Sequence, residues 1–240
     1  MVTLVRITVF LALLFSTTSC FINDIAGVKG NGTVISEERT LNSTFESIKV
    51  QQGITLYITQ GTSTNLKVEA DENIMDLLIT EVKNNELKIY FDKNVYRAKA
   101  KEVYLTVDDF SKISASSGSS IKSENTLQLN SLNIDSSSGS SIKITIAAKE
   151  VTSESSSGSS IYLFGRSDSF SAESSSGSSI DASELETIHA IAKASSGASI
   201  DVNVTGQLTA KASSGGDIDY RGNPTDVNKD TSSGGSVSGS

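Results

Sequence analysis

Histidine and cysteine each occur once in this 240-residue chain, and tryptophan does not occur at all. A lone Cys20 cannot close a disulfide within the chain, so stability must come from packing. A lone His189 leaves no partner for a Cys/His pair or a histidine-based metal site. Basic residues are also short: 20 Lys and Arg stand against 28 Asp and Glu, a formal charge of −8. That balance excludes nucleic acid as a partner, because phosphate binding calls for a basic patch. Past the N-terminus, no run is long and apolar enough to span a bilayer.

What the chain has in abundance is one phrase. It reads Ser116-Ser-Gly-Ser-Ser-Ile121 and returns, with small changes, at 137–142, 156–161, 175–180, 195–200, 213–218 and 232–237. Its glycines are Gly118, Gly139, Gly158, Gly177, Gly197, Gly215 and Gly234, spaced 21, 19, 19, 20, 18 and 19 residues apart. A fixed period near twenty marks a repeat architecture, in which each unit buries its apolar face against its neighbours. Three residues after each glycine stands Ile121, Ile142, Ile161, Ile180, Ile200, Ile218 or Val237. These branched side chains are stiff and suit a pleated, half-buried surface, so they read as an inward stack. Between phrases the apolar residues alternate, as in Ile142-x-Ile144-x-Ile146 and Val202-x-Val204, which is the period of strands.

Units this short have no room for helical crossovers. The expected fold is therefore all-β: a parallel β-helix, with residues 111–240 as its repeat part. Right-handedness is expected because parallel crossovers favour that hand. The Ser-Ser-Gly phrase has two readings. Either the glycine supplies φ > 0 at a coil corner flanked by small residues, or the strand runs straight through and presents a flat polar face. Seven glycines at one offset favour the corner.

Residues 1–19 read as a signal peptide: Arg6, an apolar run from Ile7 to Phe15, then small residues before Cys20. The arrangement resembles a bacterial lipoprotein signal, with Cys20 as the lipidated residue and membrane contact through that anchor. Residues 20–37 are expected as a tether. Residues 38–110 lack the phrase but are β-rich, with a helical turn expected over 72–78 and a hairpin turn at Asn84-Asn85. This part is expected to be an irregular cap for the open end of the column.

Phe45-x-x-Ile48-x-Val50-x-x-Gly53-Ile54-x-Leu56-x-Ile58-x-Gln60-Gly61, followed by Leu66-x-Val68 and then Ser/Gly-rich β repeats, resembles the head GIN domain of putative auto-transporter adhesins. The resemblance spans about 45 to 222. It implies a single-stranded right-handed β-helix on an envelope protein, often a lipoprotein of Gram-negative bacteria and placed at the outer membrane. Its motifs are apolar and glycine positions, with Thr55 where a literal Gly-Ile-Asn would carry Asn, so no functional residue is carried over.

Chemistry-bearing groups are sparse. His189 lies in an alternating stretch and reads as a strand residue. Asp108-Asp109 are adjacent, and neighbouring strand residues point to opposite faces. A non-enzymatic surface or periplasmic module that binds a glycan or protein is the expected function. The alternative is a glycan-active β-helix enzyme such as a polysaccharide lyase, which would gather acid, base and aromatic groups in one groove. Four residues before the glycines, Asp135, Glu154 and Glu173 should stack on successive coils, with Lys193 and Lys211 continuing the row. That row is either a solvated face screened by salt or a ladder for a hard cation such as Ca²⁺. No other cofactor is expected.

Overall fold

Ile121, Ile142, Ile161, Ile180, Ile200 and Ile218 form one buried column, each paired in parallel register with the next. This column runs through a computed structural model that describes residues 27–239. The fold is a β-solenoid of about seven turns, as the period near twenty requires. Each long strand, such as Ser141–Ser155, contributes to two faces. Alternation is kept on either side of Ala147–Glu150, where none of the four residues is buried and the chain passes between faces. Each full burial of an isoleucine side chain contributes about 1.5–3 kcal/mol.

The Ser-Ser-Gly phrase is a corner. The serine before each glycine lies at φ between 49 and 55°, and the glycine itself between 66 and 76°. Two successive positive values are the pattern of a type I′ turn. A Cβ added to any of the seven glycines would meet nothing within 4 Å. Glycine is thus held there by the left-handed backbone and not by lack of space.

The next serine turns inward. Ser140 is buried, its Oγ lying 2.8 Å from the Ala115 carbonyl of the preceding coil and accepting the Ser137 N–H at 3.1 Å. The contact recurs from Ser159 to the Ser136 carbonyl at 2.7 Å and from Ser178 to the Ser155 carbonyl at 2.8 Å. These hydroxyls satisfy buried carbonyls while linking coil to coil.

The N-terminal part differs from an irregular cap. Ser47–Val50 and Thr55–Gln60 form a further coil above Lys112–Ala115 and Ser120–Ser123. Their corner, Gln52-Gly53, has φ of 60 and 69°, so it is the same turn without the serines. Above that coil sit Glu86–Phe91 and Lys101–Val107, parallel to Ser47–Val50 and Thr55–Gln60 although later in sequence. The antiparallel strands Leu78–Lys83, Asn65–Asp71 and Val34–Arg39 then close the end. The helical turn is a 3-10 helix at Glu72–Leu77, and Asn84 and Asn85 (φ 54 and 63°) make the hairpin turn.

Part of the expected tether also belongs to this cap. Val34–Arg39 pairs with Asn65–Asp71, and Val28–Lys29 pairs with Val95–Arg97. Asp71 fastens the segment: it is fully buried, and its carboxylate accepts the N–H groups of Gly32, Lys99 and Ala100.

Candidate functional site

The corner creates a concave surface. Immediately before each turn a small inward residue (Ser136, Ser155, Ser174, Ala194) is followed by a half-buried serine (Ser137, Ser156, Ser175, Ser195). Because these residues are small on every coil, stacking leaves a groove of about 460 Å³ down the column. Asp135, Glu154, Glu173, Lys193 and Lys211 line its side. Five coils at the inter-strand spacing give a groove about 19 Å long.

The charged row is in register as the sequence implied. Asp135 pairs with Glu154, Glu154 with Glu173, Glu173 with Lys193, and Lys193 with Lys211. Lysines pair with part of this row. Lys112 binds Asp135, Lys193 binds Glu173, and Lys211 lies 3.7 Å from Asp230. The hydrogen bond that Lys112 donates to Asp135 raises the Lys112 pKa, against the opposing effect of burial. Among the described residues no three acidic, His or Cys side chains gather as a metal site. Lysines thus stand at both ends of the acidic row, against Asp135 and Glu173.

The remaining sequence candidates fall in separate places. Gly118, Gly139, Gly158, Gly177, Gly197, Gly215 and Gly234 lie on the outer corners, exposed and outside the groove lining. His189 is an exposed strand residue, and Asp108 and Asp109 are exposed beyond the end of Lys101–Val107. No geometry here joins His189 to either aspartate. Cys20 lies outside the described residues.

A second surface was not singled out from the sequence. On the other sheet, Lys67, Tyr104, Tyr57, Lys122, Lys143, Tyr162, Asp181, Asp201 and Asp219 follow one another across the strands. Tyr57 and Tyr104 stack with centroids 5.0 Å apart. Lys67 lies 4.5 Å from the centre of the Tyr104 ring, and Lys122 lies 5.4 Å from that of Tyr57. Hydrogen bonding to Glu102, with burial, pushes the Tyr104 pKa up. From Lys122 to Asp219 its members stand four residues after each repeat glycine, an offset at which the residue type changes along the column.

Solved structures share this architecture. A putative adhesin from Bacteroides fragilis has a TM-score of 0.82 at 22% identity, over 89% of this chain and 100% of that one. A putative adhesin from Parabacteroides distasonis has a TM-score of 0.72 at 19% identity, over 89% and 99%. A protein of the same species described as a putative lipid binding protein has a TM-score of 0.67 at 21% identity, over 89% and 99%. No curated protein matches the chain. The family model "putative auto-transporter adhesin, head GIN domain" matches residues 44–224, and the chain belongs to that family.

Proposed function

We propose that this chain is a non-enzymatic binding module of the cell envelope, an adhesin-type β-solenoid held to the outer membrane by a lipid on Cys20. The observation that carries the reading is the serine-floored groove, which the repeat makes long, open and uniform. Such a surface suits an extended polymer, glycan or polypeptide, contacted through hydroxyls along the floor and through charges along one wall. The adhesin family and the lipoprotein-type signal support envelope placement. The dispersal of His189, Asp108 and Asp109 supports binding over glycan cleavage.

The test is a binding screen of the protein from residue 20 onward against glycans and extracellular-matrix proteins. Ser156→Tyr with Ser175→Tyr should fill the groove floor and weaken capture at least about tenfold, since displaced contacts of 1.4 kcal/mol suffice. Equal capture by wild type and variant would remove the groove from the proposal. Release of unsaturated products from uronate polysaccharides would replace it with the enzyme reading. For the anchor, Cys20→Ser should move the full-length protein from the membrane to the soluble fraction; an unchanged distribution would refute lipidation.

A further inference from the structure

On the groove side, unlike charges sit on neighbouring coils and bind one another. The other sheet is arranged differently. Its central row runs Lys122, Lys143, Tyr162, Asp181, Asp201, Asp219 down successive coils, with cations at one end and carboxylates at the other. Among the described residues none of these five charged groups has an ion-pair partner within the chain. Like charges directly opposite on adjacent strands destabilise a sheet. Burial, then the charges of Asp181 and Asp219, raise the Asp201 pKa. The row therefore costs stability in the single chain.

The order of the row is self-complementary when reversed. Lys122 then stands opposite Asp219, Lys143 opposite Asp201, and Tyr162 opposite Asp181. The next outward row repeats the match, since Glu124 stands on the coil of Lys122 and Arg221 on the coil of Asp219. On the other flank Ser120, Ser141, Ser160, Ser179 and Ser199 form a row of small side chains, ended on the coil of Asp219 by Asp217, that lets the two backbones approach over the central coils. Tyr162, at the centre, is 38% exposed.

We propose that this face docks against the same face of a second copy of the chain, with the two columns antiparallel. The two-fold axis runs along the strand direction between the coils of Tyr162 and Asp181. A two-fold interface needs one surface complementary to itself, and the reversal of charge about Tyr162 and Asp181 supplies it. Five rung steps make the contact about 24 Å long. An area of that height and three side-chain rows wide lies at the low end for specific association, so pairing is reversible and salt-sensitive. The groove lies on the other sheet and stays open in both copies, so this inference stands apart from the binding proposal.

Sedimentation of the chain from residue 20 onward, carrying Cys20→Ser, tests it at low and raised ionic strength. Wild type should form dimers at low salt that dissociate at high salt. K122E/K143E and D201K/D219K should each weaken self-association at least about tenfold. An equimolar mixture of the two should form a one-to-one heterodimer, because the all-acidic row then meets one in which Asp181 is the single remaining acid. Far-ultraviolet circular dichroism confirms that each variant keeps its β signature. A wild type that stays monomeric at low salt overturns the proposal without reference to any variant. So does a mixture that remains monomeric when both variants are folded.

Discussion

Asp71 Oδ2 accepts the backbone N–H of Gly32 at 2.8 Å, across 39 residues of sequence. Oδ1 accepts the N–H groups of Lys99 at 3.0 Å and Ala100 at 2.9 Å, so one carboxylate joins three segments of the cap. Burial alone would raise this carboxyl, but the N–H groups of Ala100, Gly32 and Lys99 and the Lys99 charge together hold it below its ordinary value. A depressed folded-state pKa contributes stability above the unfolded value near 3.9, which is lost as pH falls through the folded value.

Asp71→Asn should therefore lower stability at neutral pH by about 2–3 kcal/mol, since hydrogen bonds to a charged group each contribute about 1.5–3 kcal/mol. Urea unfolding measured across pH checks both parts. The variant should lack the component of acid destabilisation that wild type shows below about pH 4. An unchanged urea midpoint at neutral pH would show that the clamp contributes nothing.

Asp201 has the opposite sign. Its pKa is raised by burial and by Asp181 and Asp219, so the charged form is disfavoured in the fold. That contribution favours folding below the unfolded carboxyl pKa and is lost as pH rises through the folded value. Asp201→Asn should stabilise dilute protein at neutral pH by on the order of 1 kcal/mol or less, read as a higher melting temperature. The gain should close as pH falls through about 4. A gain that persists at acid pH would point to packing instead of charge.

The corners separate backbone strain from crowding. Ser157 and Gly158 have φ of 53 and 69°, and a Cβ at Gly158 meets no atom within 4 Å. Gly158→Ala should cost about 1–2 kcal/mol through the left-handed conformation alone. Ser157→Asn should stabilise by a few tenths of a kcal/mol, because Asn tolerates positive φ better than Ser. Thermal melts of the two variants should move in opposite directions; a common direction would remove the backbone explanation.

Much of the solenoid was legible because its determinants recur at fixed offsets. A branched residue three after each glycine announces the core column, and the glycine announces the corner. The coil at Gln52-Gly53 was hidden because the turn needs positive φ but not serine. The insertion of Glu86–Phe91 above Ser47–Val50 was hidden for another reason: alternation specifies a strand and its buried face, but not its partner. The acidic row was visible by offset. The pairing of Asp135 was not, since Lys112 approaches it from a different outward row of the sheet. Asp71 could only look like a polar strand end, because the N–H groups it binds come from distant loops.

The core contains one place where the repeat is imperfectly filled. Ser153 is fully buried, and its Oγ has no hydrogen-bond partner among the described residues. It stacks in register between Ile134 and Ala172, and the same row continues through Ala192 and Ala210. Of the other inward serines, Ser167 bonds Thr187 and the rest lie at the corner, where the turn offers carbonyl and N–H partners; Ser153 is two residues too early to reach them. A buried hydroxyl without a partner costs about 1–3 kcal/mol. Ser153→Ala removes the hydroxyl and leaves the residue type already used on three later coils. It should raise stability by about 1 kcal/mol, read as a higher urea midpoint at unchanged slope. Ser155→Ala is the control: its Oγ lies 2.9 Å from Ser159 Oγ, so the same change there should destabilise. If both substitutions destabilise equally, the Ser153 hydroxyl is satisfied in solution and the core row is not under-filled.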